Sequence, residues 1–298
     1  MSPGTAARAL GALAFLVSTP ALAYVRTITS AGVPMFWNRT VLEITAYVGN
    51  PPPDMTSDEV MEAMTAAASA WSKDQVSCTS IQIRVLRSEE ESADVALDYV
   101  SRMTFRRGQW CKQPRAADDP CYDPQAMAVT SVFARRGDGQ ILDADMEVNA
   151  VNSVWSDLVL KPDDSGDVQD LQNTVTHEFG HFVGMDHTCI LNGDGLGRVD
   201  DHGRPVPDCS LAPPTVRDTT MFAVVGGGDI ERRTLTVDDA NAVCDVYPPL
   251  DPELVAQNAG CSVGGRRPGA ALALAGLGVL FIAVRRRRRA TPPPPATR

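Results

Sequence analysis

The sequence predicts an α+β fold in an exported protein, and three observations carry that reading. Strand-like runs fill the first half of the body, and a strongly patterned helix comes late. No regular alternation of strand and helix joins them, which argues against a parallel α/β sheet. Finally, both chain ends carry segments that are not fold material. Residues 1–23 hold Arg8, an apolar run from Ala9 to Val17, and Ala21-Leu22-Ala23. These are the three regions of a secretory signal peptide, and the apolar run is shorter than the roughly 20 residues a membrane span needs. The body is then expected to begin at Tyr24.

Within the body, 41–48 (VLEITAYV) alternates with β-branched residues and reads as a strand, stopped by Pro51-Pro52-Pro53. Thr56 and Glu59 form a capping-box pattern, and Val60, Met64, Ala67 and Trp71 follow at helical spacing, so 57–72 reads as an amphipathic helix. Ile81, Ile83 and Val85 alternate as a second strand, and Val95 with Leu97 mark a third. Residues 106–125 are polar, contain proline and two cysteines, and read as a long stapled loop. The runs 128–133 and 141–148 flank Arg135-Arg136-Gly137-Asp138-Gly139, a hairpin pattern. An acidic loop, 163–167, is placed to cap a helix from about 168 to 183. A loop rich in Gly and Asp covers 192–218, and a last helix spans about 237–246 before Pro248-Pro249.

The formal net charge is −10, but the distribution says more. Residues 24–260 hold all 37 acidic residues and only 18 of the 27 basic ones, a net of −19. Such a body repels nucleic acid and anionic membrane. The chain has seven cysteines, and an exported chain meets oxidising conditions, so pairing is expected. With Cys261 set aside, Cys111–Cys121 and Cys189–Cys209 are the short-loop pairs, leaving Cys78–Cys244; other connectivities stay open. No Cys-x-x-Cys is present, which argues against a structural zinc ribbon.

The chemistry concentrates in His177-Glu178-Phe179-Gly180-His181-Phe182-Val183-Gly184-Met185-Asp186-His187. Histidines four apart on a helix differ by about 40° in direction, so two imidazoles project side by side toward one ion. Glu178 is turned by about 100° and can overhang the open coordination position as a general base. Gly184 permits the positive φ that lets the chain leave the helix and bring in His187 as third ligand. Three protein ligands leave one position for water, the mark of a catalytic zinc. The chain has only four histidines, and three are here; His202 is read as a loop residue.

HEFGHFVGMDH resembles the HExxHxxGxxH signature of the metzincins. DLQNTVTHEFGHFVGMDHT, the later TTMFA and RTLTVDDANAVCDVYP, and AVTSVFARRGDGQILDADMEVN resemble the matrixin-like branch over residues 40–247. The resemblance implies a zinc-dependent endopeptidase with a mixed twisted sheet of about five strands, an active-site helix and a closing C-terminal helix. It also implies Met221 as the Met-turn residue beneath the zinc, and a polypeptide substrate lying extended along an edge strand. No cysteine-switch motif precedes the domain, and the histidines of the animal matrixins' structural zinc are missing. Asp143, Asp145 and Glu147 are the candidates for a calcium site, against the plainer reading of a solvated strand face.

The expected organisation is therefore a leader (1–23), a catalytic domain (24–247), a linker (248–260) and a C-terminal segment (261–298), acting as a monomer. In the last segment, Gly269–Val284 is uninterrupted apolar or small sequence followed by Arg285–Arg289, which reads as membrane-targeting with the arginines on the cytoplasmic side. It resembles the MYXO-CTERM class of sorting segments, which implies processing at Cys261 and display at the cell surface; a plain membrane anchor is the alternative. Two other functions compete with peptidase: a non-catalytic binding module, which would have no use for Glu178, and a zinc hydrolase for a non-peptide amide.

Overall fold

A computed structural model describes residues 24–116, 118–191, 197–249 and 277–287. The expected leader, most of the linker and Cys261 lie outside the described residues. The chain begins with short strands β1 (Val25–Arg26) and β2 (Phe36–Trp37), then β3 (Val41–Tyr47), helix α1 (Ser57–Ala70), β4 (Gln82–Ser88) and β5 (Arg102–Arg106). The hairpin β6 (Ala126–Arg135) and β7 (Gln140–Asn149) follows, then β8 (Val154–Ser156), β9 (Val168–Asp170) and helix α2 (Leu171–Phe182). After β10 (Met185–Asp186) come the single turn α3 (Pro214–Arg217), β11 (Val224–Gly226), α4 (Val237–Val246) and β12 (Leu277–Arg287).

The main sheet is mixed and runs β11-β12-β6-β7-β5-β3-β4, with β2 also on β7. Only β6 runs against its neighbours; β3, β4, β5 and β7 pair in parallel. This is the expected α+β metzincin-like architecture, its five central strands extended by β11 and β12. Thr56 and Glu59 close the capping box of α1 in both directions, Thr56 N–H donating to Glu59 at 2.7 Å and Glu59 N–H to Thr56 Oγ1 at 3.2 Å. Its buried face, Val60, Ala63, Met64 and Ala67, then meets α2 and the sheet. Trp71 Nε1–H donates to Thr176 O at 2.8 Å, which ties the two helices. Every residue of α2 except Gln172 is buried. The helix therefore has almost no exposed face, and its polar residues, His177, Glu178 and His181 among them, are held inside the protein.

The three disulfides are Cys78–Cys244, Cys111–Cys121 and Cys189–Cys209. The first joins α4 to the segment before β4. Tyr247, just past α4, donates its hydroxyl to Val183 O at 2.8 Å, so the closing helix holds the end of α2.

Three expectations need correction. Val95 and Leu97 lie in irregular chain, and the strand there is β5, whose pairing with β7 starts at Met103. The cap of α2 is Asp170, which accepts from Asn173 N–H at 2.8 Å, and not the acidic loop 163–167. Asp143, Asp145 and Glu147 are not a solvated face, and they do not fall in the group of described residues arranged to hold a metal. All three are buried. Asp143 accepts from the backbone N–H groups of Asp98 (3.0 Å) and Tyr99 (2.7 Å), and Asp145 from those of Ala96 and Arg102 (both 3.0 Å). Glu147 pairs with Arg106 and accepts from Tyr122. Asp143 and Asp145 fasten the irregular segment before β5 to the sheet, and Glu147 ties β5 to the loop carrying Tyr122. The apolar C-terminal run is extended over 277–287 and joins the sheet, while 269–276 lies outside the described residues. No helix among the described residues is long and apolar enough to cross a membrane.

Candidate metal centre

His177 and His181 come from consecutive turns of α2, and Gly184, at φ +89°, turns the chain out of the helix. A Cβ at Gly184 would lie 2.7 Å from Met35 O, so the turn also requires the glycine sterically. His187 follows β10 and closes the group. The three Nε2 atoms stand 3.1, 3.2 and 3.2 Å apart, a nearly equilateral triangle. Tetrahedral ligands about 2.0–2.1 Å from a zinc ion lie roughly 3.3–3.4 Å from one another, so the triangle fits that ion.

The hydrogen bonds on the far side of the rings fix what faces inward. His177 Nδ1–H donates to Thr220 O at 2.6 Å and His181 Nδ1–H to Met185 O at 2.9 Å. Both Nε2 atoms then carry lone pairs directed into the triangle. Burial, with neighbouring imidazoles adding to it at His177 and His187, holds all three rings below the usual histidine pKa, His181 at about 4. Three neutral imidazoles whose Nε2 atoms converge form a candidate cation site. Among the described residues this is the one His, Cys, Asp and Glu group arranged to hold a metal.

Glu178 is fully buried. Its Oε2 accepts from Thr130 Oγ1 at 2.6 Å, while Oε1 has no protein partner. Burial pushes its carboxyl up to about 8, and the Thr130 hydroxyl pulls it back down. Glu178 directly follows His177 in α2, so one orphaned, buried carboxylate oxygen sits on the same helical turn as the first imidazole.

Met221 is buried against the helix, its Sδ facing Gly180, where a Cβ would come within 2.1 Å. Its carbonyl accepts from Thr188 N–H at 3.1 Å, and the preceding Thr220 O orients His177. The turn at 220–221 thus supports both the first and the third histidine. Thr220 N–H in turn donates to Asp239 of α4 at 2.9 Å. Asp186 accepts from His187 N–H at 2.7 Å and pairs with Arg198, in a segment anchored by the Cys189–Cys209 bridge. Thr130, Thr220, Asp186 and Asp239 escape a sequence reading because their roles rest on contacts with residues distant in sequence. His202 is exposed and packs edge-on against Tyr24, away from the centre.

Fold and site together define a metalloprotease-type centre on a mixed sheet. A family model described as Matrixin (Peptidase_M10) matches residues 36–192, more than half of the chain, and the chain belongs to that family. The match contains all three histidines and Glu178 but ends before Met221. A search of curated proteins returned no match.

Proposed function

We propose that this matrixin is an exported zinc-dependent endopeptidase acting on extracellular polypeptides, with His177, His181 and His187 as metal ligands and Glu178 as general base. One observation carries the reading: three imidazole nitrogens converge, and the residue after the first carries a buried carboxylate oxygen that no protein group satisfies. A zinc ion bound there supplies a Lewis acid and brings the pKa of its water to about 7. Glu178 Oε1 takes the proton of the attacking water and later delivers it to the leaving amine. Thr130 holds the other carboxylate oxygen, so the base keeps one orientation through both transfers. The carbonyls of Thr220 and Met185 keep the ring protons on the outer nitrogens.

Export is supported by the leader pattern of residues 1–23 and by three disulfides, which persist in oxidising compartments. The segment from Cys261 is the surface-attachment element before processing. Purified residues 24–260, loaded with one equivalent of zinc, are expected to cleave casein or quenched peptides. Zinc bound without turnover on any peptide library, or full activity in Glu178→Ala, would overturn the assignment.

A further inference from the structure

The edge of β6 lies beside the metal centre, since Thr130 on that strand touches Glu178. β7 covers one side of β6. The other side is taken by β12, antiparallel, in a register that sets Phe281, Ile282 and Ala283 opposite Ser131, Thr130 and Val129. On its far edge β12 pairs in parallel with β11, Val224 opposite Arg285 and Gly226 opposite Arg287. β11 begins three residues after Met221. The C-terminal strand therefore bridges the two segments that flank the centre, and its middle runs past the catalytic carboxylate.

A strand edge offers one row of N–H and C=O groups, and each row accepts one extended partner. Any polypeptide that binds along β6 toward Glu178 must use the row that β12 occupies. The occupant's sequence suits the place: its apolar stretch lies along the wholly buried part of β6, and Arg285–Arg287 run along β11 in a body of net charge −19. Residues 250–276 can reach roughly 90 Å when extended, so the segment can dock on its own domain.

We propose that Leu277–Arg287 is an internal blocking strand that occupies the substrate edge of β6 and closes the metal centre until the C-terminal segment is withdrawn or cut away. This rests on the peptidase reading of the centre. It also gives the C-terminal run two exclusive positions, since residues in a membrane cannot pair with β6. Attachment or processing of that end would then open the cleft. A strand seated nine-tenths of the time leaves about one-tenth of the enzyme competent and lowers kcat/KM about tenfold.

The test compares the zinc-loaded full chain with the same chain carrying Phe281→Pro and Ile282→Pro. Adjacent strand residues point their N–H groups to opposite edges, so one of the two prolines removes a donor facing β6. Two readouts are taken: amide hydrogen exchange over 127–133, which needs no catalysis, and hydrolysis of a quenched peptide. The expected result is protected amides in the parent chain, at least tenfold faster exchange in the variant, and about tenfold higher kcat/KM. Equal exchange in the two chains overturns the proposal, as does equal hydrolysis despite a loss of protection. Loss of protection with no hydrolysis by either chain supports the docking and removes the peptidase reading instead.

Discussion

Gly180 lies within the metal-binding turn of α2, between Glu178 and His181, and replacing it by alanine separates two opposed effects. A Cβ there would stand 2.1 Å from Met221 Sδ and 2.9 Å from Trp71 Cζ2, well inside an ordinary carbon contact of about 3.5–4.0 Å. Met221 is 1% exposed and Trp71 0%, so neither side chain can swing into solvent. Helix propensity alone would make alanine stabilising by roughly 0.5–1 kcal/mol. Overpacking costs roughly 1–3 kcal/mol and should outweigh that gain, leaving Gly180→Ala destabilised by about 1–2 kcal/mol. Pushing Met221 aside also strains Thr220, whose carbonyl orients His177, so zinc affinity should fall roughly tenfold. Met221→Ala alone should cost roughly 2–4 kcal/mol, but it makes room for the new methyl. The double variant keeps only the Trp71 contact and should therefore lose less than the sum of the two single losses, a coupling of roughly 1–2 kcal/mol. Urea unfolding of the four proteins, followed by tryptophan fluorescence, measures the cycle. A Gly180→Ala protein as stable as the parent, or a double variant with additive losses, would refute the packing account.

Glu178→Gln should keep one bound zinc per chain while kcat falls by roughly 10²–10⁴, measured by metal analysis beside peptide hydrolysis. Asp143→Ala removes the acceptor of the Asp98 and Tyr99 backbone N–H groups and of the buried Ser101 hydroxyl, and should cost about 1–3 kcal/mol in thermal or urea unfolding. Replacing Cys78 and Cys244 by serine opens a link of sequence separation 166, and should cost about 5 kcal/mol by the chain-entropy estimate. Lys161 and the Thr56 backbone N–H hold the Glu59 carboxyl below its usual range. Its contribution is therefore complete above the ordinary glutamate value and lost as pH falls through the lower folded value. Being at the surface, it amounts to roughly 0.2–1 kcal/mol, read as the difference between the parent and Glu59→Gln in unfolding from pH 7 to pH 3.

What could be read in the residues was local. The His177–His187 spacing works because helical geometry and one glycine turn determine where three rings point, and Thr56 with Glu59 declares a helix start within four residues. The β6–β7 hairpin was legible from its turn. The Asp143, Asp145 and Glu147 alternation misled for a physical reason: charged side chains on a strand usually meet water, and here an irregular segment brings its own N–H groups to them. Thr130, Thr220 and Asp239 are ordinary residues until the fold sets them against Glu178, His177 and the 220 turn. The C-terminal run shows the same limit. An apolar stretch ending in arginines suits a bilayer, and it equally suits an unfilled strand edge, so composition alone does not choose between them.

The central claim is that three imidazoles share one ion with a single position left open. X-ray absorption at the zinc edge of the stoichiometrically loaded protein tests it most directly. Three imidazole nitrogens and one oxygen at about 2.0–2.1 Å are predicted, with one imidazole lost in His187→Ala. A sulfur ligand, or an unchanged shell in that variant, would contradict the account.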